Sequence, residues 1–301
     1  PSNVTGTPLA VALTAPAPLL FYSDASCTTL VTGLTIAVGG SSGSFYFKST
    51  LAGPVQVSVS STLTGANQTE TLVAAAADRL VFNPLAQSAV AGVCSGAIAV
   101  ERRDPFGNLA VGAVLAVSLT TVGVTGGTFT FHTAATCSGP STSTGVSIAA
   151  GASSATFYAR GTRAEVVTVR GNGGGLTQAT HTLTLTPAAA TVLVFTPATQ
   201  SAAAGICSAA ITVQRRDAFG NPTTTGALTV NLTDTATGGT FGYHALANCS
   251  DVAITSVGIA AAASSATFYA SGTRAEAVNV DGTATGITST VNQVLTITPA
   301  A

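Results

Sequence analysis

An all-β chain of tandem sandwich modules, the first incomplete, is what this 301-residue sequence predicts, on three observations. The string CSGAIAVERRDPFGN, Cys94 to Asn108, returns as CSAAITVQRRDAFGN, Cys207 to Asn221, 113 residues on. A repeat of that length is one small domain that buries its own core, not a solenoid turn. Within each copy, segments such as GAIAVERR, VLAVSL, GTFTFH and SATFYAR alternate with period two and are rich in β-branched and aromatic residues. Gly-rich turns separate them every eight to twelve residues or so, the spacing of a sandwich.

Taken in order, residues 1–76 form a partial module, and residues 77–189 and 190–301 form complete ones. The first copy is placed by PLAVALT (Pro8–Thr14) against ALTVNLT (Ala227–Thr233) and by its strand at Phe45–Val59. It starts just after the point where the others read FGN. About thirty residues, with two leading strands and one cysteine, are therefore expected to be missing from it. The complete copies open at Arg79–Phe82 and Val192–Phe195, after the joints AAAAD (Ala74–Asp78) and PAAAT (Pro187–Thr191). These joints are short and lack Gly/Ser slack, so neighbouring modules are expected to hold a restricted orientation. The alanine-rich Ala260–Ala270 reads as a turn entering a strand, because its counterpart begins AAGASSATFYA. The chain has no methionine, so Pro1 is expected to be the start of a processed product or a fragment.

Composition limits function. Charged residues make up 7% of the chain, against about 25% in an average soluble domain, and mean hydropathy is +0.51. No apolar run approaches the roughly 18 residues of a membrane span. Net charge is −1 with ten basic residues, which leaves no electrostatic footprint for nucleic acid or anionic lipid. Small neutral side chains on the surface suit close packing with neighbours, so self-association or contact with other modules of the same protein is expected.

Five cysteines divide into two pairs and a remainder. Cys94 with Cys137, and Cys207 with Cys249, stand at matching places, and disulfides there imply an oxidising, extracellular or cell-surface setting. Cys27 matches Cys137 and Cys249, so its counterpart belongs to the missing stretch. That counterpart lies upstream in a longer chain, or in another subunit, or the thiol is free.

The turn Asp-x-Phe-Gly-Asn at Asp104–Asn108 and Asp217–Asn221, the later Gly-Gly-Thr-Phe at Gly126–Phe129 and Gly238–Phe241, and the strand Ser-Ser-Ala-Thr-Phe-Tyr resemble bacterial immunoglobulin-like repeats of the invasin and intimin type. The resemblance covers both complete copies and, without its first turn, the partial one. It implies immunoglobulin-like sandwiches in a secreted or surface repeat protein. The repeated cysteine pair, the alanine richness and the Arg-Arg before the Asp depart from the pattern and weaken an invasin-type function.

Asp104, Gly107 and Asn108, with Asp217, Gly220 and Asn221, read as structural turns in which the carboxylate accepts local N–H groups. Calcium needs six or more oxygen ligands, and few other acids lie near in sequence. Arg163 and Glu165, with Arg274 and Glu276, recur as TRAE alongside Arg102-Arg103 and Arg215-Arg216, which suggests a fixed ion-pair cluster within each module, or between modules, whose role is orientation more than stability. His132 and His244, matched by Tyr22, read as strand-end side chains. Phe157-Tyr158, Phe268-Tyr269 and Phe45-Tyr46-Phe47 read as one core ring beside one edge ring. The sequons at Asn3, Asn67, Asn231 and Asn248 are short matches in a Thr/Ser-rich chain. No nucleophile elbow, zinc-protease motif or paired-carboxylate spacing is present, so neither enzyme activity nor a metal or cofactor is expected.

The expected role is a structural segment of an extracellular fibre, stalk or coat, with the open first module completed by strands of a neighbouring subunit. The alternative is an adhesin-type module contacting a glycan or a host protein. Loops differ between copies, VGVTGG against TATGGT and GPSTSTG against DVAITSV, as spacer modules allow.

Overall fold

The computed structural model describes residues 2–138 and 144–300. Most of the GPSTSTG loop lies outside the described residues. In the first module the strands are β1 (Leu9–Thr14), β2 (Leu20–Tyr22), β3 (Leu30–Val31), β4 (Gly33–Ile36), β5 (Tyr46–Lys48), β6 (Gly53–Ser60) and β7 (Ala66–Leu72). The second module has β8 (Arg79–Asn83), β9 (Ala86–Val90), β10 (Ile98–Arg103), β11 (Leu115–Val122), β12 (Phe129–His132), β13 (Gly145–Ile148), β14 (Ser154–Gly161), β15 (Val166–Asn172) and β16 (Ala179–Thr186). The third repeats it with β17 (Val192–Thr196), β18 (Thr199–Ala203), β19 (Ile211–Arg216), β20 (Leu228–Asp234), β21 (Phe241–His244), β22 (Ser256–Ile259), β23 (Ser265–Gly272), β24 (Ala277–Thr283), β25 (Ser289–Val291) and β26 (Gln293–Thr298).

Each complete module is two sheets packed face to face, an immunoglobulin-like sandwich. In the second the orders are β12-β14-β10-β8 and β13-β11-β15-β16-β9. The leading strand breaks at Pro84, so that β8 runs antiparallel to β10 in one sheet while β9 runs parallel to β16 in the other. Alternation delivers the inward residues: Phe82, Ile98, Val100, Phe157, Val167, Val169 and Leu183 are all buried. Phe157 packs edge-on against Phe82 and Phe131, with ring centroids 5.6 and 5.7 Å apart, and Phe268 does the same with Phe195 and Tyr243. The neighbouring Tyr158 and Tyr269 stay half-buried. Ala260–Ala263 forms the turn into β23, so the register of the repeat overrides alanine's helix preference.

Among the described residues the first module has the sheets β4-β1-β6-β7 and β3-β2-β5. Three leading strands precede the Asp-x-Phe-Gly-Asn turn in a complete copy, one more than alternation suggests, because the break at Pro84 splits a single apolar run between the two sheets. The core shrinks accordingly, to Leu13, Leu19, Phe21 and Val57. Phe45, the counterpart of the fully buried Phe157, is only partly covered.

Cys94 and Cys137 are bonded at 2.00 Å, and Cys207 and Cys249 at 1.99 Å. Each bond ties the segment before β10 or β19 to the loop after β12 or β21. Replacing Cys207 and Cys249 by serine releases a 42-residue loop and is expected to cost the third module about 4 kcal/mol, seen as a lowered unfolding midpoint in denaturant.

Candidate functional site: the clasp between modules

The recurring motifs meet at the joints. Each Asp-x-Phe-Gly-Asn turn is closed by its own backbone: Asp217 N–H donates to Asn221 O at 2.9 Å, and Gly220 N–H to Asp217 O at 3.0 Å. Gly220 sits at φ 84° and Gly107 at φ 92°, a conformation side-chain-bearing residues rarely adopt. The Asp217 carboxylate is 1% exposed. Its Oδ1 accepts the N–H groups of Phe219 and Asn221, and its Oδ2 accepts the Asn221 amide at 2.8 Å. One further acceptor position faces backwards and takes the N–H of Ala188, in the joint, at 2.9 Å.

Asn221 completes the bridge. Its amide donates to Thr162 O and its Oδ1 accepts Ala164 N–H, each at 2.8 Å, and both partners belong to the TRAE loop of the preceding module. The first joint has the same bonds. Asn108 donates to Thr50 O at 2.8 Å and accepts Ala52 N–H at 3.0 Å, while Asp104 accepts Ala75 N–H at 3.0 Å. The first module reads TLAG where the second reads TRAE, and the contact survives because it is made to backbone groups.

The side chains of TRAE brace the loop that presents those groups. Thr162 Oγ1 accepts Thr128 N–H at 2.9 Å, and Glu165 accepts both the N–H and the hydroxyl of Thr125. Arg163 lies across Gly126, where an added Cβ would stand 2.7 Å from its guanidinium; Arg274 lies likewise across Gly238. This accounts for the joint recurrence of GGTF and TRAE. Arg163 Nε is 3.6 Å from Glu165, a contact half in solvent and worth little by itself. Hydrogen bonds from Thr237 hold the Glu276 carboxyl below its ordinary range, with a smaller contribution from Arg274.

The paired arginines do other work. Arg103 pairs with Glu101 at 2.5 Å and Arg216 donates to Gln214. Arg102 and Arg215 are buried, 5% and 2% exposed, and point their guanidinium groups at backbone carbonyls. Arg215 reaches Thr223 O, Thr225 O, Gly226 O and Ala263 O at 2.6–3.0 Å. Among the described residues neither has a carboxylate within ion-pair distance.

Three contributors lacked a sequence signal: the backbone donors Ala75 and Ala188, and Gly92. Gly92, at φ 80°, lies under the Phe219 ring of the next module, so close that a Cβ there would overlap it. His132 bonds Thr130 at 2.9 Å, and His244 lies 3.2 Å from Asp251. Both are strand-end contacts that take no part in the clasp bonds. The four sequon asparagines are exposed. No group of three or more His, Cys, Asp or Glu suited to a metal occurs among the described residues, and no helix there is long and apolar enough to cross a membrane.

Burial pushes the Asp104 carboxyl up, but the Asn108 side chain and the N–H groups of Asn108, Ala75 and Phe106 outweigh it and hold it below the ordinary 3.8. A pKa lowered by folding gives stability that is full above the unfolded value and lost as pH falls through the folded one. The first joint is therefore expected to loosen in acid below pH 3.8 and not in base. Hydrogen exchange at the Ala75 amide, followed from pH 7 downwards and corrected for intrinsic rates, checks this.

No family model matches the chain. No curated protein matches it either. Among solved structures it is similar to invasin, a bacterial integrin-binding protein, at 13% identity and TM-score 0.40, covering 97% of this chain and 53% of that one. It is similar to the Escherichia coli adhesin FdeC at 16% identity and TM-score 0.39, covering 99% and 88%. To the S-layer protein SbsC, residues 31–844, the figures are 13% and 0.27, covering 90% and 29%. The chain spans about half the length of the invasin structure.

Proposed function

We propose that the chain is a structural segment of an extracellular fibre, stalk or surface coat, in which 1–76, 77–189 and 190–301 are successive modules held in register by the Asp/Asn clasp. The observation that carries this reading is the recurrence of one set of bonds at both joints. Asp104 and Asp217 each hold a joint N–H, and Asn108 and Asn221 each hold the loop of the module before. A bead-on-string chain has no use for a buried carboxylate spent on its linker, whereas a spacer that transmits position does. The disulfides support an oxidising location outside the cytoplasm.

Gly92 and Gly205 provide a matched test. Both have positive φ, 80° and 79°, but only Gly92 has a neighbour's ring against it. Gly92→Ala and Gly205→Ala therefore share the backbone cost, about 1 kcal/mol, and differ in the joint. Residual dipolar couplings of the second and third modules are expected to fit one alignment tensor in the wild type and in Gly205→Ala, and two in Gly92→Ala. Independent tensors in the wild type would remove the basis for a position-transmitting spacer.

A further inference from the structure

We infer that the open side of the first module is a binding site for a polypeptide segment of the repeat's own leading type, an apolar strand pair carrying a cysteine that bonds to Cys27. Four separate features converge on it. The first is a pair of free sheet edges. β5 is the last strand of its sheet and β7 of the other, whereas their counterparts β14 and β16 are flanked by β10 and β9. In the second module a single segment, Arg79–Arg103, covers both edges. The second is a cleft of about 150 Å³ behind β5, lined by Phe45, Phe47, Val57 and Val59, with Gln68 and Glu70 on its far wall. In the second module Ile98 stands opposite Phe157, the counterpart of Phe45.

The third feature is the backbone of Cys27. Its φ is 53°, beside 48° at Cys137 and 50° at Cys249, and all three N–H groups donate to the carbonyl three residues back at 3.0 Å. A non-glycine residue rarely takes this conformation. Cys27 shares it with the two cysteines that are bonded to leading segments, and its half-buried thiol faces Phe47 O on the free strand. The fourth is Phe106. Phe219, itself 46% exposed, rests on Gly92 of the preceding leading segment, while Phe106, its counterpart, has no such glycine against it and is 56% exposed.

The site also selects. Glu70 stands where the complete modules bury Leu183 and Leu295, so the segment that fits best offers a cation or hydrogen-bond donor there. A copy of Arg79–Arg103 brings Gln87 to that place, since Gln87 stands opposite Leu183 in the second module, but there its amide donates to Gly96 O.

The test uses the whole chain and a synthetic copy of Arg79–Arg103 whose cysteine carries a 2-thiopyridyl disulfide. The Cys27 thiolate attacks the peptide sulfur, the new S–S bond forms, and the old one breaks. Pyridine-2-thione leaves with the electron pair and takes up the proton given by the thiol. Expected are one peptide per chain, mapped to Cys27, and a rate at least about tenfold above that of an order-scrambled peptide, because binding raises the local thiol concentration. The amides of Tyr46–Lys48 and Thr69–Leu72 gain exchange protection. Aspartate in place of the isoleucine corresponding to Ile98 brings the rate down to the scrambled value, and Glu70→Leu in the chain raises it. Equal rates for ordered and scrambled peptides overturn the inference, as does addition without protection of the two edges.

Discussion

Replacing Arg215 with methionine is expected to destabilise the third module by about 3–5 kcal/mol. The guanidinium is 2% exposed and gives hydrogen bonds to the carbonyls of Thr223, Thr225, Gly226 and Ala263. Those carbonyls belong to two loops, the one leaving the clasp turn and the alanine-rich turn entering β23. Methionine fills similar volume but donates nothing, so several carbonyls lose their partners, at a cost of about 1–3 kcal/mol each before water re-enters. In a domain of this size the loss corresponds to roughly 15–25 °C in Tm. Lysine keeps the charge but not the planar fork that reaches both loops, and is expected to recover less than half. Arg216→Met is the control: that side chain is half-buried and bonded to Gln214, and its loss is expected to stay within about 1 kcal/mol. Scanning calorimetry of the three variants distinguishes a carbonyl-binding arginine from one that merely contributes charge.

What the sequence disclosed and what it withheld divide along a physical line. The repeat made the cysteine matches and the turn-into-strand character of Ala260–Ala270 legible, because recurrence at one spacing reports a shared environment. It did not report which environment. Arg102 and Arg215 recur beside TRAE, and charge alone suggests that the two motifs pair. The arginines instead point into their own modules, where they meet carbonyls, which leave no mark in the identity of a residue. Asp217 and Asn221 were readable as a turn, since their mutual bonds are local. That the same side chains also reach Ala188 and Thr162 was not readable, because those partners contribute only backbone and lie up to 59 residues away. The count of leading strands failed for a related reason. A strand that changes sheet at a proline keeps one continuous apolar pattern, so β8 and β9 read as one element.

Asn221 is where the clasp can be opened with the least damage to the module that carries it. Asn221→Ala removes the donor to Thr162 O and the acceptor for Ala164 N–H, and is expected to weaken module–module coupling by about 2 kcal/mol. Asn221→Asp is expected to do more, although it keeps an acceptor for Ala164. Its second oxygen replaces an amide that stands 2.8 Å from both Asp217 Oδ2 and Thr162 O, so a bond to each becomes a repulsion. The two variants then part with pH. A carboxyl crowded by another carboxylate has a raised pKa, and protonation removes the repulsion and supplies one O–H donor where the amide had two, so the aspartate variant regains part of the coupling as pH falls through that value. The alanine variant has no proton to gain and stays uncoupled. Relaxation-derived tumbling times of the second and third modules read this directly, as one common time when the clasp holds and two shorter ones when it does not. Partial recovery in acid by the aspartate variant alone identifies the polar side chain at position 221 as what keeps neighbouring modules in one orientation.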